Sequence, residues 1–364
     1  MSDPYRARLW RLKEALAHAS LDGMVLVPGP NLRYFTGVNS FLLERLFVLL
    51  VPSEGEPRLI APEIESGPYR RSATAMEIYS WTDSQGPDSA LRKGAAAVRG
   101  GSRWGIEGRS PYLYLSRLLK IARIRPEDGE PLLQGLREVK DKAEVRTLKK
   151  SSKILSEAFM EIPGMLHEGM TEIELAKSVA DVIYSKGASQ VDDLLVQSGP
   201  RGADSHSGPS SRRIMRGEPL VMDLGSSLDG YHSDITRTFC VGSPRRFEKE
   251  YGSVAQANDL AREAAVEGAE VGDVDGAARR SLAADGLGER FTHRTGHGLG
   301  LEVHEAPYII PGGKEKLRNG MFFTVEPGVY FPGKMGVRIE DDLTIEGGRS
   351  VTITDIPREL GWWR

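Results

Sequence analysis

Two aspartates interrupt runs of residues that otherwise favour strands. In "VMDLGSSLDGYHSDITRTF", residues 221–239, the segments Leu220–Leu224 and Tyr231–Val241 read as strands, and they carry Asp223 and Asp234 respectively. A Ser/Asp/Gly stretch ending in Asp229-Gly230, a pair that hairpins favour, lies between them. With Leu228 and Asp229 at the loop centre, Ser227 faces Gly230 and Asp223 lies opposite Asp234. Directly opposed residues have Cβ atoms about 5 Å apart, where like charges are destabilising. The apolar neighbours in "LVMDLG" predict burial for Asp223. A buried carboxylate must be paired, protonated or bound to a metal.

Three downstream segments supply more chemistry: "THRTGHGLGLEVHEAP", "FFTVEPGVY" and "GVRIEDDLTI". Each has a strand-like setting with a polar residue where an apolar one is expected. Glu326 precedes a Pro-Gly turn, Glu340 follows Val337-Arg338-Ile339, and His297 is flanked by glycines. Four carboxylates and one imidazole suit Mn²⁺, Co²⁺ or Zn²⁺ better than a structural thiolate site. Four negative charges exceed what one divalent ion neutralises, and two ions balance them. Opposed aspartates are tolerable when cations lie between them.

These residues need elements to hold them. The first third alternates helix and strand signals: a helix near Tyr5–His18, strands in Met24–Val27, "FLLERLFVLLVP", "PRLIAP" and "RWGIEG", and helices in "SALRKGAAAVRG" and "YLYLSRLLKIA". That predicts an α/β domain over residues 1–135 and a second domain over residues 136–364. The second opens on one long helical pattern from Leu136 to Gly164 and contains a repeat. Thr171-Glu172-Ile173-Glu174, with the spacing of a capping box, matches Gly272-Asp273-Val274-Asp275. Each copy pairs two helices and leads into strands, and duplicated halves place a site at their mutual interface.

The chain as a whole narrows the class. A net charge of −3 over 364 residues gives no electrostatic case for nucleic acid or anionic membrane. The one cysteine, Cys240, excludes an internal disulfide, fits a reducing cytoplasm and reads as a buried strand thiol. The N-terminus is a charged amphipathic pattern and not a secretory signal, and the most apolar stretch, "LFVLLVP", is too short to span a bilayer. The expectation is a cytoplasmic protein.

The ordered series "MDLG…SDITRTF…TGHGLGLEVHE…TVEPGVY…VRIEDD", with "LREVKDKAEVRTLKKS" before it, resembles the creatinase/aminopeptidase P/prolidase family over Leu136–Thr354. The first third resembles that family's smaller domain. The resemblance implies a pita-bread domain of two related αβ halves and two divalent ions, usually Mn²⁺, Co²⁺ or Zn²⁺. Asp223 would bind one ion, His297 and Glu326 the other, and Asp234 and Glu340 both. It also places His206 against substrate, His304 near the scissile carbonyl and His293 at the pocket edge. Thr236 and Arg338 would hold the carboxylates in place. His18, His167 and His232 have no motif and read as structural.

The activity so implied is exopeptidase cleavage of an Xaa-Pro bond, in short peptides or dipeptides. A metal-bridging hydroxide would attack the carbonyl, with Glu326 relaying the proton. One departure stands out: Tyr308 occupies the position where some prolidases have an arginine for the dipeptide carboxylate. Either another cation anchors the carboxylate or longer peptides are accepted. Glu44 and Arg45, in "TGVNSFLLERLF", form a surface ion pair or reach a partner subunit's site in a homodimer. The alternatives are a methionine aminopeptidase-type enzyme and, in another class, a metal-free peptide-binding pita-bread module. Creatinase-type chemistry fits less well, because the full ligand set is present.

Overall fold

The computed structural model describes residues 3–72, 74–204 and 207–361. The chain divides into two compact units, one ending at Arg137 and the other beginning at Glu138.

The first unit is a six-stranded sheet with helices, built from α1 (Pro4–His18), β1 (Gly23–Leu26), α2 (Pro30–Thr36), β2 (Val48–Pro52), β3 (Arg58–Pro62) and α3 (Glu63–Arg70), then β4 (Glu77–Trp81), α4 (Asp88–Gly94), β5 (Arg103–Ile106), α5 (Tyr112–Ala122), β6 (Arg125–Asp128) and α6 (Glu130–Arg137). Its strand order is β4-β3-β2-β1-β5-β6. Every residue of the central β1 is buried, as its unbroken apolar run requires in a sheet covered on both faces. The expected strand over "FLLERLFVLLVP" is only half right. Val48–Pro52 forms β2, whereas Phe41, Leu42 and Leu43 lie in an exposed loop. Tyr114 Oη ties that loop down by donating to the carbonyls of Leu43 and Arg45.

The predicted helix from Leu136 to Gly164 is broken. Residues 138–141 leave the helical path: Val139 bridges to Met321, and the Lys140 amide donates to the Gly320 carbonyl. Asp141 then starts α7 (Lys142–Met165) through a reciprocal capping box with Glu144. Helical periodicity alone does not mark a cap inside a charged run.

From α7 the second unit unfolds its duplicated plan. The first half holds α7, α8 (Glu172–Ser185) and the sheet β7 (Gln190–Ser198), β8 (Leu220–Leu228) and β9 (Tyr231–Phe239). The second half holds α9 (Glu248–Ala264), α10 (Val271–Ala284) and β10 (Gly296–Gly298), β11 (Glu305–Ile309) and β12 (Phe322–Val325). A hairpin of β13 (Gly328–Phe331) and β14 (Met335–Arg338) follows, then β15 (Asp341–Glu346) and β16 (Arg349–Thr352). The second sheet runs β11-β10-β12-β15-β16. The repeat is present in a register two residues from the expected one: Thr171, the N-cap of α8, bridges to Arg213, and its counterpart is Glu270, the N-cap of α10, which bridges to Lys316, and not Gly272, which lies inside α10. The capping box is confined to the first copy, Thr171 with Glu174. One core joins both halves, with Leu155, Phe159, Val179 and Phe239 from the first and Val254, Ala278, Phe323 and Leu343 from the second. Cys240 is buried in the same core. This is the pita-bread architecture, preceded by a creatinase-like α/β domain.

Candidate metal centre

The hairpin register decides how the two aspartates meet. The turn centre is Asp229-Gly230, both with positive φ (49° and 72°), so Leu228 pairs with Tyr231. That is one residue later than the sequence analysis expected. Asp223 therefore faces Thr236, and Asp234 faces Gly225. The two acids are diagonal neighbours on one face, and Gly225 adds no side chain between them. Type I′ geometry needs two residues with positive φ, and Asp229-Gly230 meets that need better than Leu228-Asp229.

His297 comes from β10, wedged between β11 and β12. Its flanking glycines are steric necessities. A Cβ on Gly296 would sit 1.9 Å from the Thr324 carbonyl oxygen, and one on Gly298 would sit 2.2 Å from that of Ala306. Glu326 follows the end of β12, its amide bonded to the Thr295 carbonyl at 2.7 Å. Glu340 sits between β14 and β15, its amide bonded to the Thr236 carbonyl at 3.0 Å. So both halves of the duplicated unit contribute.

The five side chains line one cavity of about 440 Å³. His297 Nε2 lies 3.5 Å from Glu326 Oε1 and 3.9 Å from Asp234 Oδ2. Ligand atoms of Asp223, Asp234 and Glu340 fall within 4.8 Å of one another, as do those of His297, Glu326 and Glu340. Glu340 belongs to both groups, so two adjacent cations would share it. A third grouping joins Asp234 and His297 to His304, which sequence analysis did not count among the ligands.

The electrostatics call for positive charge. Burial pushes the Asp234 and Glu340 carboxyls well above their usual range, and the neighbouring acids push in the same direction. Burial raises Glu326 to about 7, opposed by Arg338. His297 is driven well below its usual value by burial and then by His304, so it is a neutral ring able to ligate. Glu340 Oε2 accepts from Thr236 Oγ1 at 2.7 Å, whereas its Oε1, on a side chain 1% exposed, has no hydrogen-bond partner among the described residues. A buried carboxylate oxygen without a donor costs free energy unless something cationic meets it. The donor set thus fits divalent ions.

Arg338 organises the surroundings. It donates to Asp223 Oδ2 at 2.5 Å, to Thr236 Oγ1 at 3.1 Å and to Tyr330 Oη at 2.8 Å. Since Arg338 can only donate, the Tyr330 hydroxyl points its proton at His293 Nε2, 2.8 Å away. His293 Nδ1 then donates to the Arg294 carbonyl at 2.7 Å. Burial, then Arg338, lowers His293 to about 4, which keeps this ring neutral. His293 lines the cavity with both nitrogens engaged. His304 is exposed at the rim, its ring edge-on to His297 with centroids 4.2 Å apart. His206 lies outside the described residues, and its neighbours Asp204 and Ser207 offer their carbonyls to Gln197 Nε2.

Sequence reasoning missed the three other charged residues that line this cavity: Arg294, Asp192 and Asp193. Arg294 lies between His293 and His297, and its guanidinium sits 5.0 Å from the centroid of the Tyr308 ring. Its place in "HRTGHG" was a signal available in the sequence. Glu44 and Arg45 form a surface ion pair at 2.9 Å, with Arg45 also bonded to Asp83 at 3.0 Å.

Comparison with known proteins agrees with this geometry. Residues 146–347 match metallopeptidase family M24, and residues 8–139 match the creatinase/prolidase N-terminal domain. The chain is 33% identical to the Xaa-Pro dipeptidase of Pyrococcus horikoshii, with 98% of this chain and 99% of that protein covered. The crystal structure of a prolidase from Thermococcus sibiricus superposes with a TM-score of 0.95 at 37% identity, over 99% of both chains. That of dipeptidase PepE from Mycobacterium ulcerans gives 0.91 at 36% identity, over 98% of this chain and 97% of that one.

Proposed function

Given that the chain belongs to metallopeptidase family M24, we propose that it is a two-metal exopeptidase that cleaves Xaa-Pro dipeptides, with Asp223, Asp234, His297, Glu326 and Glu340 holding the ions. The observation that carries this is the unpartnered Glu340 Oε1, shared by two adjacent groups of ligand atoms. When bound, a pair of Mn²⁺, Co²⁺ or Zn²⁺ ions supplies an activated water near neutral pH and polarises the carbonyl.

The chain's own residues do the rest. Glu326 takes the proton of the attacking water and passes it to the proline nitrogen, which leaves as a secondary amine. An Xaa-Pro bond is a tertiary amide without N–H, so that nitrogen depends on an outside proton. His304, at the rim over His297, donates to the carbonyl oxygen as it gains charge. His206 contacts substrate in this reading. His293 acts through Tyr330 to orient Arg338, and Arg338 and Thr236 fix Asp223 and Glu340.

Support for a dipeptide comes from Arg294. Of the two arginines lining the cavity, Arg338 is occupied by Asp223, Thr236 and Tyr330. Arg294, stacked on Tyr308, is the cation placed to meet a proline carboxylate, so Tyr308 serves as its platform. The exposed loop with Phe41 and Leu43, respectively 69% and 53% exposed, supports a homodimer with a second copy covering it. A lone buried thiol supports a cytoplasmic setting. No helix among the described residues is long and apolar enough to cross a membrane.

The test is hydrolysis of Ala-Pro against Ala-Pro-Ala with Mn²⁺ and after chelation. Metal-dependent cleavage confined to the dipeptide is the expected result. Equal cleavage of both would remove the carboxylate anchor, and full activity in demetallated protein would remove the metal mechanism.

A further inference from the structure

The β7 edge of the cavity carries an irregularity that the reaction does not explain. Val191 pairs with Ser226 and the next paired residue, Leu194, with Leu224, so Asp192 and Asp193 together oppose the single Gly225. A bulge of this kind bends the strand and re-aims its side chains. A Cβ on Gly225 would stand 3.0 Å from Asp192 Cβ. Asp192 therefore leans into space that a larger residue would fill, in line with Asp234 on the far strand.

Asp192 is held firmly there. Its Oδ2 lies 2.6 Å from His232 Nδ1 and its Oδ1 accepts from Gln190 Nε2 at 3.2 Å. His232 is anchored in turn by its amide, bonded to the Gly300 carbonyl at 2.9 Å. His232, which had no motif, thus has a place in this wall. Asp193 also lines the cavity, but it is exposed and makes no hydrogen bond or ion pair among the described residues. Two apolar residues line the same cavity: Leu195, which pairs with Asp223, and Val303. That the cavity takes a ligand stands on separate evidence, the buried and unpartnered Glu340 Oε1.

We propose that Asp192 and Asp193 form a specificity wall that selects a cationic first residue, lysine or arginine, in the Xaa-Pro substrate. This rests on the proposed reading of the site. With the scissile bond at the ligand cluster, the first side chain runs along β7. Its aliphatic stem packs on Leu195 and Val303, and its charged head reaches the two carboxylates. Amphipathic side chains suit such a surface, apolar along the stem and charged at the tip. An acid fixed beforehand by His232 and Gln190 loses little freedom when it meets that charge. Two residues in one bulge supply an acid fixed by His232 and Gln190 and a second, exposed one, and a neutral side chain offers neither a positive charge.

The experiment compares Lys-Pro with norleucine-Pro, which has the same stem and no charge, on the Mn²⁺-loaded full chain. It measures kcat/KM and, by titration calorimetry, Kd. The expected result is a Lys/norleucine preference of roughly tenfold, about 1.4 kcal/mol, that shrinks as salt rises. Asp193→Asn should lower that ratio about threefold. Asp192→Asn should lower it too, and the double substitution should bring it near one. A ratio of one or below in the unmodified protein, or a ratio the substitutions leave unchanged, overturns the proposal. If neither dipeptide is cleaved, the cleavage reading fails, and the calorimetric ratio still decides the specificity wall by the same criteria.

Discussion

Glu340 and Asp341 are adjacent in sequence, both are buried, and they are stabilised in opposite ways. Glu340 faces the cavity with Asp223, Asp234 and Glu326, and burial, then Glu326 and Asp223, raises its carboxyl well above the ordinary range. Asp341 faces the interior. Burial alone would raise it, yet Arg237, Arg358 and Arg262 hold it below its usual value. Arg237 itself is fully buried, 2.7 Å from Asp341 Oδ1, and also donates to the Thr236, Glu340 and Ile356 carbonyls. One buried acid has three arginines acting on it, whereas the other shares a single arginine, Arg338, with the neighbouring acids. Burial of a carboxylate is thus no sign of a metal site; several buried acids converging on one cavity are.

Asp234→Ala is the strongest way to break this contrast. It should abolish Mn²⁺-dependent hydrolysis while cooperative unfolding and the circular dichroism spectrum persist. Unchanged turnover with two ions still bound would refute the assignment. Asp341→Asn should do the reverse, leaving Mn²⁺ affinity of the folded protein in place. It strands Arg237 in the core and should cost about 3–5 kcal/mol in urea unfolding. If both variants fail in the same way, the two acids do not play separate parts.

Thr236→Val sharpens the comparison, because among the described residues Thr236 supplies the only hydrogen bond to the Glu340 carboxylate. Mn²⁺ affinity should fall about 10–100-fold by calorimetry. The mildest test is pH. In metal-free protein Asp234, Glu340 and Glu326 have raised folded-state values, so folding takes up protons. The stability this gives is complete below their unfolded values near pH 4. It is lost as pH rises, through about 7 for Glu326. Asp341 is depressed, so its contribution is present above its unfolded value and lost as pH falls. Asp234→Asn should therefore raise the apo Tm at pH 8 and change it little at pH 4. Asp341→Asn should lower Tm at pH 8, with a deficit that narrows in acid.

Much of the molecule was legible in the sequence, because its signals were local. Asp223, Glu326 and Glu340 each interrupt or end an apolar strand pattern, and such a break needs no tertiary knowledge to notice. The α5 helix was found at Tyr112–Ala122 because its periodicity is clean. What stayed hidden depends on contacts far along the chain. The break at Glu138–Asp141 is set by a bridge to Met321, and the Asp192–Asp193 bulge by the opposing Gly225. His232 was set aside for want of a motif, yet its partner lies 40 residues earlier. The hairpin register differs by one residue at the turn from the expected one, because Asp229 and Gly230 both take positive φ and so occupy the two centre positions themselves.

That single residue has a reach beyond the hairpin. Side chains alternate along β9, so inserting or deleting one residue at the turn would shift β9 by one against β8, rotate Asp234 to the opposite surface of the sheet and bring Ser233 or Ile235 into its position. The Asp229-Gly230 turn therefore acts as a ruler for the reactive cavity, although neither residue lines it. Length changes at that tip would silence the protein as surely as deleting a ligand, which makes an exposed, ordinary-looking loop one of the least permissive places in the chain to insert or remove an amino acid.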